Sequence, residues 1–490
     1  MEEQVQSESD LLRLRREKLD GLRERGIEPF GARYDTTHQP GALRTAFTPD
    51  LEVKIAGRIT ARRDMGKSVF FDLSDITGRI QCYLSKKDVG DEVFHTFTHL
   101  LDIGDWVGVD GKTFVTKTGE PSVHANTMTV LGKSLRPLPD KYHGLQDREI
   151  KYRQRYLDLI SNEQSRDTFV MRSRMVAEIR AFFHQMGFLE VETPMMQDVP
   201  GGAAASPFET YFKALSQTMY LRIAPELFLK RLLVGGFTKI FELNRNFRNE
   251  GLSRRHNPEF TMLEAYWAFS DFEQMADLVE SMVCHLAEKF CGGLLIEHKD
   301  SEGVVTRTIN LQRPWKRAAY KDLIIGVAGA DWFSLDTDAK KTRCREQLHV
   351  EVTEHMVDYE VTQHVFEKLV EEKSFDPLFV THSPKELVPL AKQNKADNSV
   401  VDVYELVING QEISPGYSEL NDPIVQRERL EHQGGEETQK TDEEFLLALE
   451  YGMPPAGGIG IGIDRLIMML TGAESIRDVV LFPQLKKRSE

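Results

Sequence analysis

The chain has 490 residues and a formal net charge of −15, from 62 Lys and Arg against 77 Asp and Glu. That length predicts about three domains, or two large ones. A content of 40% hydrophobic and 28% charged residues is typical of a folded protein. The acidic balance argues against a chain that wraps DNA. A local basic patch can still contact RNA, because the field at a site depends on nearby charge.

The cysteines and the first residues predict the compartment. Cys82, Cys284, Cys291 and Cys344 show no zinc-ligand or redox spacing, so we expect free thiols in a reducing compartment. The opening MEEQVQSESD is acidic and lacks the apolar segment of a signal peptide. No uncharged apolar stretch reaches the roughly 20 residues that a membrane span needs. We therefore expect a cytoplasmic protein that does not enter a membrane.

Residues 1–50 form a predicted N-terminal helical extension. The segment 10–25 is predicted as a helix in which Leu12, Leu19 and Leu22 form an apolar stripe among basic side chains. The basic side chains admit two interpretations, a solvated face or a helix that contacts phosphates.

Residues 51–136 change character and contain about five short runs rich in Val, Ile, Phe and Thr. This pattern predicts a small closed barrel, for which the five-stranded oligonucleotide-binding (OB) barrel is the commonest candidate. Two prolines then mark a linker over 137–154. Helices and strands mix over 155–490, so the predicted fold class is α+β.

Two long strands are predicted to carry polar residues on one face. Alternation over 241–250 places Glu242, Asn244, Asn246, Arg248 and Glu250 together. The second strand presents Phe260, Met262, Glu264 and Tyr266 on one face, and the connecting loop carries Arg254, Arg255 and His256. The pattern indicates a site on the sheet, with a solvated polar face as the alternative.

A hairpin is predicted over VYELVINGQEI, because Asn409-Gly410 is a strong two-residue turn signal. Pairing from that turn makes Glu405 a diagonal neighbour of Glu412 on the same face, about 7–8 Å apart. Two such carboxylates suit Mg²⁺ shared with substrate phosphates. The alternative is two exposed edge glutamates.

Glycine alternates with isoleucine in GGIGIGIDRLIMML, at Gly458, Gly460 and Gly462. As a strand, this segment has one face without side chains, on which a flat ligand can lie. A helix that Arg465 opens is predicted to follow. The spacing is neither the dinucleotide fingerprint nor a Walker A loop.

These segments resemble a known family. FRNE followed by RHNPEF resembles motif 2 of the class II aminoacyl-tRNA synthetases, GIGIGIDR resembles motif 3, and GFLEVETPMM with Pro194 resembles motif 1. PGGAAASPF, MYLRIAPELFLKRLLVGG and YSELNDP are similar to the bacterial type of class II lysyl-tRNA synthetase. The resemblance runs from about residue 10 to the end.

The resemblance implies a mostly antiparallel class II sheet flanked by helices, in a homodimer. It also implies that ATP and L-lysine give lysyl-adenylate, and that the lysyl group passes to the 3′ end of tRNA(Lys). Arg248 and Arg465 match the catalytic arginines on the phosphates. Glu405 and Glu412 match the Mg²⁺ ligands. The resemblance assigns these ATP-binding residues: Arg248, Glu250, His256, Asn257, Phe260, Glu405, Glu412, Gly462 and Arg465.

The resemblance also implies a lysine pocket and an anticodon site. An acidic pocket suits an ammonium and rejects aspartate. The implied lysine-binding residues are Glu226, Glu264, Tyr266, Tyr417 and Glu419. The implied anticodon-binding residues in the barrel are Arg63, Phe70, Gln81 and Glu120. For Phe70, a place in the barrel core is the alternative.

One position departs from the family pattern. The family has Gly-Asn-Gly before the pocket aromatic, whereas this chain has Ser414-Pro415-Gly416 before Tyr417. The amide that would contact the lysine carboxylate is therefore missing, and Ser414 or a water is a candidate replacement.

Two rival functions follow from the same resemblance. A protein-lysylating paralogue would lack the anticodon barrel, and a non-catalytic RNA-binding relative would have lost the ATP contacts. The chain has the predicted barrel and the matching ATP residues, so both rivals are disfavoured.

Overall fold

The structure, a computed structural model, describes residues 8–138, 148–300, 302–432 and 441–487. Contacts divide the chain into two compact units, Met1–Arg166 and Asp167–Glu490. The predicted linker over 137–154 lies partly outside the described residues. That linker and the predicted start of the catalytic domain at residue 155 stay predictions.

The first unit contains a closed five-stranded barrel in the order β1-β2-β3-β5-β4, which confirms the predicted OB-type architecture. Its core is aliphatic and aromatic, and Leu22 of the N-terminal helix packs into it. The strands are β1 Glu52–Asp64, β2 Ser68–Asp75, β3 Gly78–Ser85, β4 Trp106–Val115 and β5 Pro121–Gly132. The helices are α1 Glu8–Glu24, α2 Pro40–Thr45, α3 Lys86–His95, α4 Arg148–Arg153 and α5 Arg155–Ser161.

Helix α1 begins and ends close to the predicted bounds, and one of its basic residues is structural. The guanidinium of Arg15 is buried and donates to the carbonyl oxygens of Ile103 and Ser134 at 2.9 and 3.0 Å. This arginine therefore satisfies backbone acceptors and is not part of a solvated basic face.

The second unit is built on an eight-stranded sheet in its described part, in the order β14-β15-β16-β17-β18-β11-β10-β6. Most neighbouring strands are antiparallel, and two smaller sheets have the orders β7-β9-β8 and β12-β13. The strands are β6 Leu189–Glu190, β7 Met196–Gln197, β8 Glu209–Phe212, β9 Gln217–Leu221, β10 Lys239–Phe247, β11 Glu259–Ala268, β12 Leu295–Lys299, β13 Val305–Asn310, β14 Lys316–Ala319, β15 Leu378–Thr381, β16 Val403–Ile408, β17 Gln411–Ser418 and β18 Ala456–Gly462.

Helices cover this sheet and bury its apolar face. Side chains of α8 and α14 pack with those of β10, β11, β16 and β18 in the largest apolar cluster. The helices are α6 Glu163–Gln185, α7 Glu226–Val234, α8 Phe272–Phe290, α9 Tyr320–Ala328, α10 Thr337–Arg343, α11 Asp358–Leu369, α12 Pro423–Glu431, α13 Glu443–Glu450, α14 Ile463–Thr471 and α15 Ile476–Val479.

Two predicted details are corrected by the bounds of the elements. Strand β10 ends at Phe247, so Arg248 and Glu250 lie beyond it and not on its polar face. Helix α14 begins at Ile463, two residues before Arg465. In the described chain, no helix combines the length and apolar character required to cross a bilayer.

The predicted hairpin forms, with one irregularity. Asn409 and Gly410 have φ of 57° and 70°, which suits a tight two-residue turn. The register shifts between Leu406 and Val407, and a bulge leaves Ile413 without a partner on the other strand. Glu405 is therefore opposite Pro415, which differs from the regular pairing that the turn alone predicts.

Candidate active site

Two adjoining cavities open on the polar face of the large sheet. One has a volume of about 190 Å³ and the other of about 540 Å³. Both are lined by Arg248, Met262 and Pro415, so a single extended ligand can occupy the two together. The smaller one is called the loop cavity here, after the 250–258 loop beside it, and the larger one the acidic cavity.

Most of the predicted ATP residues line the loop cavity. The structure brings together Arg248, Glu250, His256, Asn257, Phe260, Glu412, Gly462 and Arg465. Glu405 is absent from this lining. Its carboxylate lies close enough to Glu412 for the two charges to interact.

Arg248 stands at the junction of the two cavities. Its guanidinium carbon lies 5.2 Å from the ring centroid of Phe260, a cation–π distance. Burial lowers the pKa of Arg248, and the carboxylates of Glu250 and Glu412 oppose that effect. Its Nε is buried without a hydrogen-bond partner in the described residues. A buried guanidinium with a free donor favours an anionic ligand at this point.

His256 and Arg465 form a pair across the loop cavity. One terminal nitrogen of Arg465 donates to Nε2 of His256 at 3.0 Å, and the other donates to the carbonyl oxygen of Glu412 at 3.0 Å. Burial and the neighbouring Arg465 lower the pKa of His256. Nδ1 of the neutral ring then donates to Oγ of Ser253 at 2.8 Å. The histidine thus orients the arginine without adding charge.

Asn257 lies in the cavity wall, but its side-chain amide is used within the chain. The amide nitrogen donates to the carbonyl oxygen of Glu259 at 2.6 Å and to the side chain of Gln484 at 2.7 Å. Sequence reasoning missed Asp464, which is buried and accepts a bond from the backbone nitrogen of Thr261 at 2.7 Å. Its other oxygen lies 2.6 Å from Arg172.

The predicted metal pair belongs to a larger acidic group. Burial raises the pKa of Glu405 well above its usual value, and Glu412, Glu371 and Glu367 raise it further. Glu371 accepts the backbone N–H of Glu412 at 3.0 Å, and burial raises its pKa to about 7. The described residues include no group of three or more ligands arranged to hold a metal on protein atoms alone. The donor set therefore fits a hard cation that also takes oxygen ligands from a bound phosphate.

The acidic cavity gathers carboxylates and phenols. The hydroxyl of Tyr417 donates to Glu226 at 2.6 Å, and the hydroxyl of Tyr266 donates to Glu264 at 3.0 Å. Burial, together with the charge of Glu226, raises the pKa of Glu264 to about 8. Four of the five predicted lysine-binding residues therefore line this cavity: Glu226, Glu264, Tyr266 and Tyr417. Glu419 is not part of the lining and lies behind it, 2.5 Å from the ammonium of Lys230. Buried carboxylates with tyrosine walls suit an ammonium on an aliphatic stem.

Glu419 projects into the space that a glycine leaves. A Cβ placed on Gly458 would lie 1.9 Å from Oε1 of Glu419, so only glycine permits this carboxylate position. The predicted bare face of the motif therefore receives a protein side chain at Gly458. Oε1 is buried and has no hydrogen-bond partner in the part of the chain that the structure describes.

Sequence reasoning also missed Lys230, which contacts two of the pocket carboxylates. Its ammonium donates to Glu226 at 2.7 Å and lies 2.5 Å from Oε2 of Glu419. A signal existed in the sequence, because Glu226 and Lys230 are four residues apart and share a helix face.

Pro415 lines both cavities, whereas Ser414 does not. Strand alternation places Ser414 on the opposite face, where it is fully buried near Tyr404. Of the two candidate replacements for the missing amide, Ser414 therefore points away from the pocket.

The barrel of the first unit has an aromatic outer face. Phe71 is in the core, whereas Phe70 is half-buried on the outer side, with its ring centroid 4.9 Å from that of Tyr83. Tyr83 also contacts Phe114 and His124, which sequence reasoning missed. Gln81 accepts a bond from Ser122 at 3.0 Å, Arg63 is exposed, and Glu120 pairs with Arg44 at 3.0 Å.

Comparison with protein families gives two matches that follow the two units. Residues 147–486 match the family of class II tRNA synthetases for D, K and N. Residues 53–131 match the family of the OB-fold nucleic acid binding domain.

Curated relatives extend over almost the whole chain. A lysine–tRNA ligase of Carboxydothermus hydrogenoformans is 48% identical over 98% of this chain and 99% of its own length. A lysine–tRNA ligase of Pelotomaculum thermopropionicum is 48% identical over 98% of this chain and 96% of its own length. One of Bacillus cereus is 46% identical over 98% of this chain and 98% of its own length. The chain belongs to the class II tRNA synthetases and, within them, to the family of the lysine–tRNA ligases.

Proposed function

We propose that this enzyme activates L-lysine with ATP and transfers the lysyl group to the 3′ end of tRNA(Lys). The observation that carries the proposal is the pair of adjoining cavities that share Arg248. One is acidic and suits an ammonium. The other is lined by the guanidinium groups of Arg248 and Arg465 and suits a nucleoside triphosphate.

Activation proceeds by in-line attack. An oxygen of the lysine carboxylate forms a bond to the α-phosphorus of ATP, and the bond from that phosphorus to the bridging oxygen of pyrophosphate breaks. The chain supplies no nucleophile, so it contributes positioning and stabilisation of charge. Arg248, at the junction, holds the phosphate on which charge develops. Phe260 stacks on the adenine.

Several residues position the remaining phosphates and the base. Arg465, oriented by neutral His256, reaches the terminal phosphate. Gly462 leaves room for the base, and Glu250 and Asn257 lie at its edge. Glu405 and Glu412 would hold Mg²⁺, which neutralises phosphate charge when it is bound.

Recognition of lysine depends on the acidic cavity. Glu419 and Tyr266 hold the side-chain ammonium, and Tyr417 forms an aromatic wall for the aliphatic stem. Glu226 and Glu264 complete the acidic lining of the cavity. In the second step, the terminal ribose hydroxyl of tRNA attacks the lysyl carbonyl and AMP leaves.

The barrel reads the anticodon. Phe70 and its aromatic neighbours offer faces on which unstacked bases stack, and Gln81, Arg63 and Glu120 provide polar contacts beside them.

We also propose a homodimer in the cytoplasm. The four cysteines are free, and β6 to β8 carry apolar side chains that a partner would cover: Leu189, Met196, Tyr211 and Phe212.

Lysine-dependent exchange of pyrophosphate into ATP, paired with charging of tRNA(Lys), tests the proposal. Both activities are expected. Exchange without charging would favour a protein-lysylating paralogue, and neither activity would favour a non-catalytic RNA-binding relative.

A pair of arginine variants ties the reaction to the cavities. Arg248→Gln is expected to abolish exchange, because the charge on the α-phosphate loses its partner. Arg345→Gln removes an exposed arginine paired with Glu354, outside both cavities, and is expected to keep wild-type exchange. Equal loss in both variants would refute the assignment.

A separate measurement tests the homodimer. A molar mass from light scattering that is twice the mass of the chain would support it.

A further inference from the structure

A buried cation lies beside the acidic cavity. Lys230 is fully buried on α7, and its ammonium lies between Glu226, at 2.7 Å, and Glu419, at 2.5 Å. The same ammonium is 5.5 Å from the ring centroid of Tyr417. These contacts join the helix to the end of β17, and every partner of the ammonium is a residue of the pocket.

The two oxygens of Glu419 differ in their surroundings. Oε2 faces Lys230, and Oε1 occupies the space beside Gly458 without a partner in the described residues. Glu226 is bonded differently, because one oxygen accepts from both Lys230 and Tyr417. Removal of Lys230 would therefore leave Glu226 with one donor and would remove the cation that pairs with Glu419.

We propose that Lys230 is a positioning residue of the lysine pocket, whose ammonium fixes Glu226 and Glu419 and favours the ionised form of Glu419, so that Oε1 of Glu419 accepts the substrate ammonium. The inference rests on the proposed function. Lys230 does not touch the substrate; it acts through the two carboxylates. The pocket is thus built for two ammonium groups, one from the chain and one from the ligand.

Charge balance gives the physical reason. Buried carboxylates close to one another cannot all stay ionised without a cation. The groups around Glu419 come from three elements: Lys230 and Glu226 on α7, Tyr266 on β11, and Tyr417 on β17, which ends one residue before Glu419. Burial raises the pKa of Glu419 to about 8, Lys230 lowers it, and Glu226 raises it. Lys230 is the cation that opposes protonation.

Loss of the Lys230 charge is expected to change how the KM for lysine depends on pH. Substrate binding needs ionised Glu419, so a higher pKa weakens binding most at low pH. If the pKa rises by about one from its value near 8, the KM for lysine increases about ninefold at pH 7 and about twofold at pH 9. A lysine that only supports the fold would give the same penalty at every pH.

The experiment measures the KM for lysine in pyrophosphate exchange from pH 6.5 to 9. Lys230→Met is expected to show a penalty that shrinks as the pH rises, with little change in the KM for ATP. Lys230→Arg keeps the charge and is expected to retain the wild-type pH profile. Lys230→Gln, whose amide can still donate to both carboxylates, carries the test if Lys230→Met does not fold.

A matched control is available in Lys340→Met. Lys340 is also buried and paired, with Asp358 at 2.8 Å, but it lies outside both cavities. Its variant is expected to keep the wild-type pH profile of the lysine KM. A penalty that is independent of pH in the neutral Lys230 variants would overturn the inference. Absence of lysine-dependent exchange in the wild-type enzyme would instead refute the proposed function.

Discussion

The position of Glu419 depends on a missing side chain at Gly458. Gly458 pairs with Tyr266 on one neighbouring strand and Tyr417 on the other. A Cβ at this position would lie 1.9 Å from Oε1 of Glu419 and 2.8 Å from the ring of Tyr266. Gly458→Ala therefore moves the two groups that hold the substrate ammonium, and it leaves their chemistry unchanged.

The structure sets the size of the effect. Ordinary contact requires about 3.5 Å, so Oε1 must move by more than about 1 Å. Loss of a hydrogen bond to a charged group costs about 1.5–3 kcal/mol. We therefore expect the KM for lysine to increase about 10- to 150-fold. The KM for ATP is expected to change little, because Gly458 lines the acidic cavity alone.

Gly462→Ala provides the matched comparison on the same strand. Its nearest neighbours to an added Cβ are 3.7 and 3.8 Å away, so the chain has room for the methyl group. Gly462 lines the loop cavity, and there the methyl group would meet the nucleotide. We expect a higher KM for ATP and an unchanged KM for lysine in pyrophosphate exchange. A lysine KM within twofold of wild type in Gly458→Ala would refute this reading of the pocket.

Three further predictions follow from the same contacts. Glu419→Gln replaces the buried partner of the ammonium, so lysine activation should be lost at ordinary lysine concentrations while ATP binding survives in calorimetry; a wild-type lysine KM would contradict the assignment. Phe70→Ala or Gln81→Ala should weaken tRNA charging by about 1–3 kcal/mol per lost contact and leave lysine-dependent exchange unchanged; a parallel fall in exchange would indicate damaged folding. Pro415→Asn restores an amide at the position that lines both cavities, and should lower the KM for lysine by up to about tenfold; an unchanged KM would mean that the carboxylate is already held.

Local sequence patterns predicted the strands well, because turn residues and side-chain alternation act over a few neighbouring positions. Asn409-Gly410 specified the hairpin turn, and glycine–isoleucine alternation specified β18. The resemblance to the synthetase family assigned Glu226, Glu264 and Tyr417 to one pocket. These residues lie far apart in the chain and meet in one cavity.

The remaining features depend on three-dimensional packing. The bulge at Ile413 places Glu405 opposite Pro415. The rules for two-residue turns do not predict this register. The amide of Asn257 is taken by Gln484, which is 227 positions away in the chain. Lys230 shares a helix face with Glu226, but its second partner, Glu419, comes from the segment that follows β17. Long-range partners of this kind are not visible in a local pattern.

Arg248 couples the two halves of the reaction because both cavities share it. Its Nε has no partner in the described residues, and burial already disfavours its charge. An anion at the junction therefore relieves an unfavourable state that exists before substrates arrive. The carboxylate of lysine and the α-phosphate of ATP both bring negative charge to this point. The same guanidinium thus favours the approach of two groups that would otherwise repel each other, and we expect each substrate to bind more tightly when the other is present.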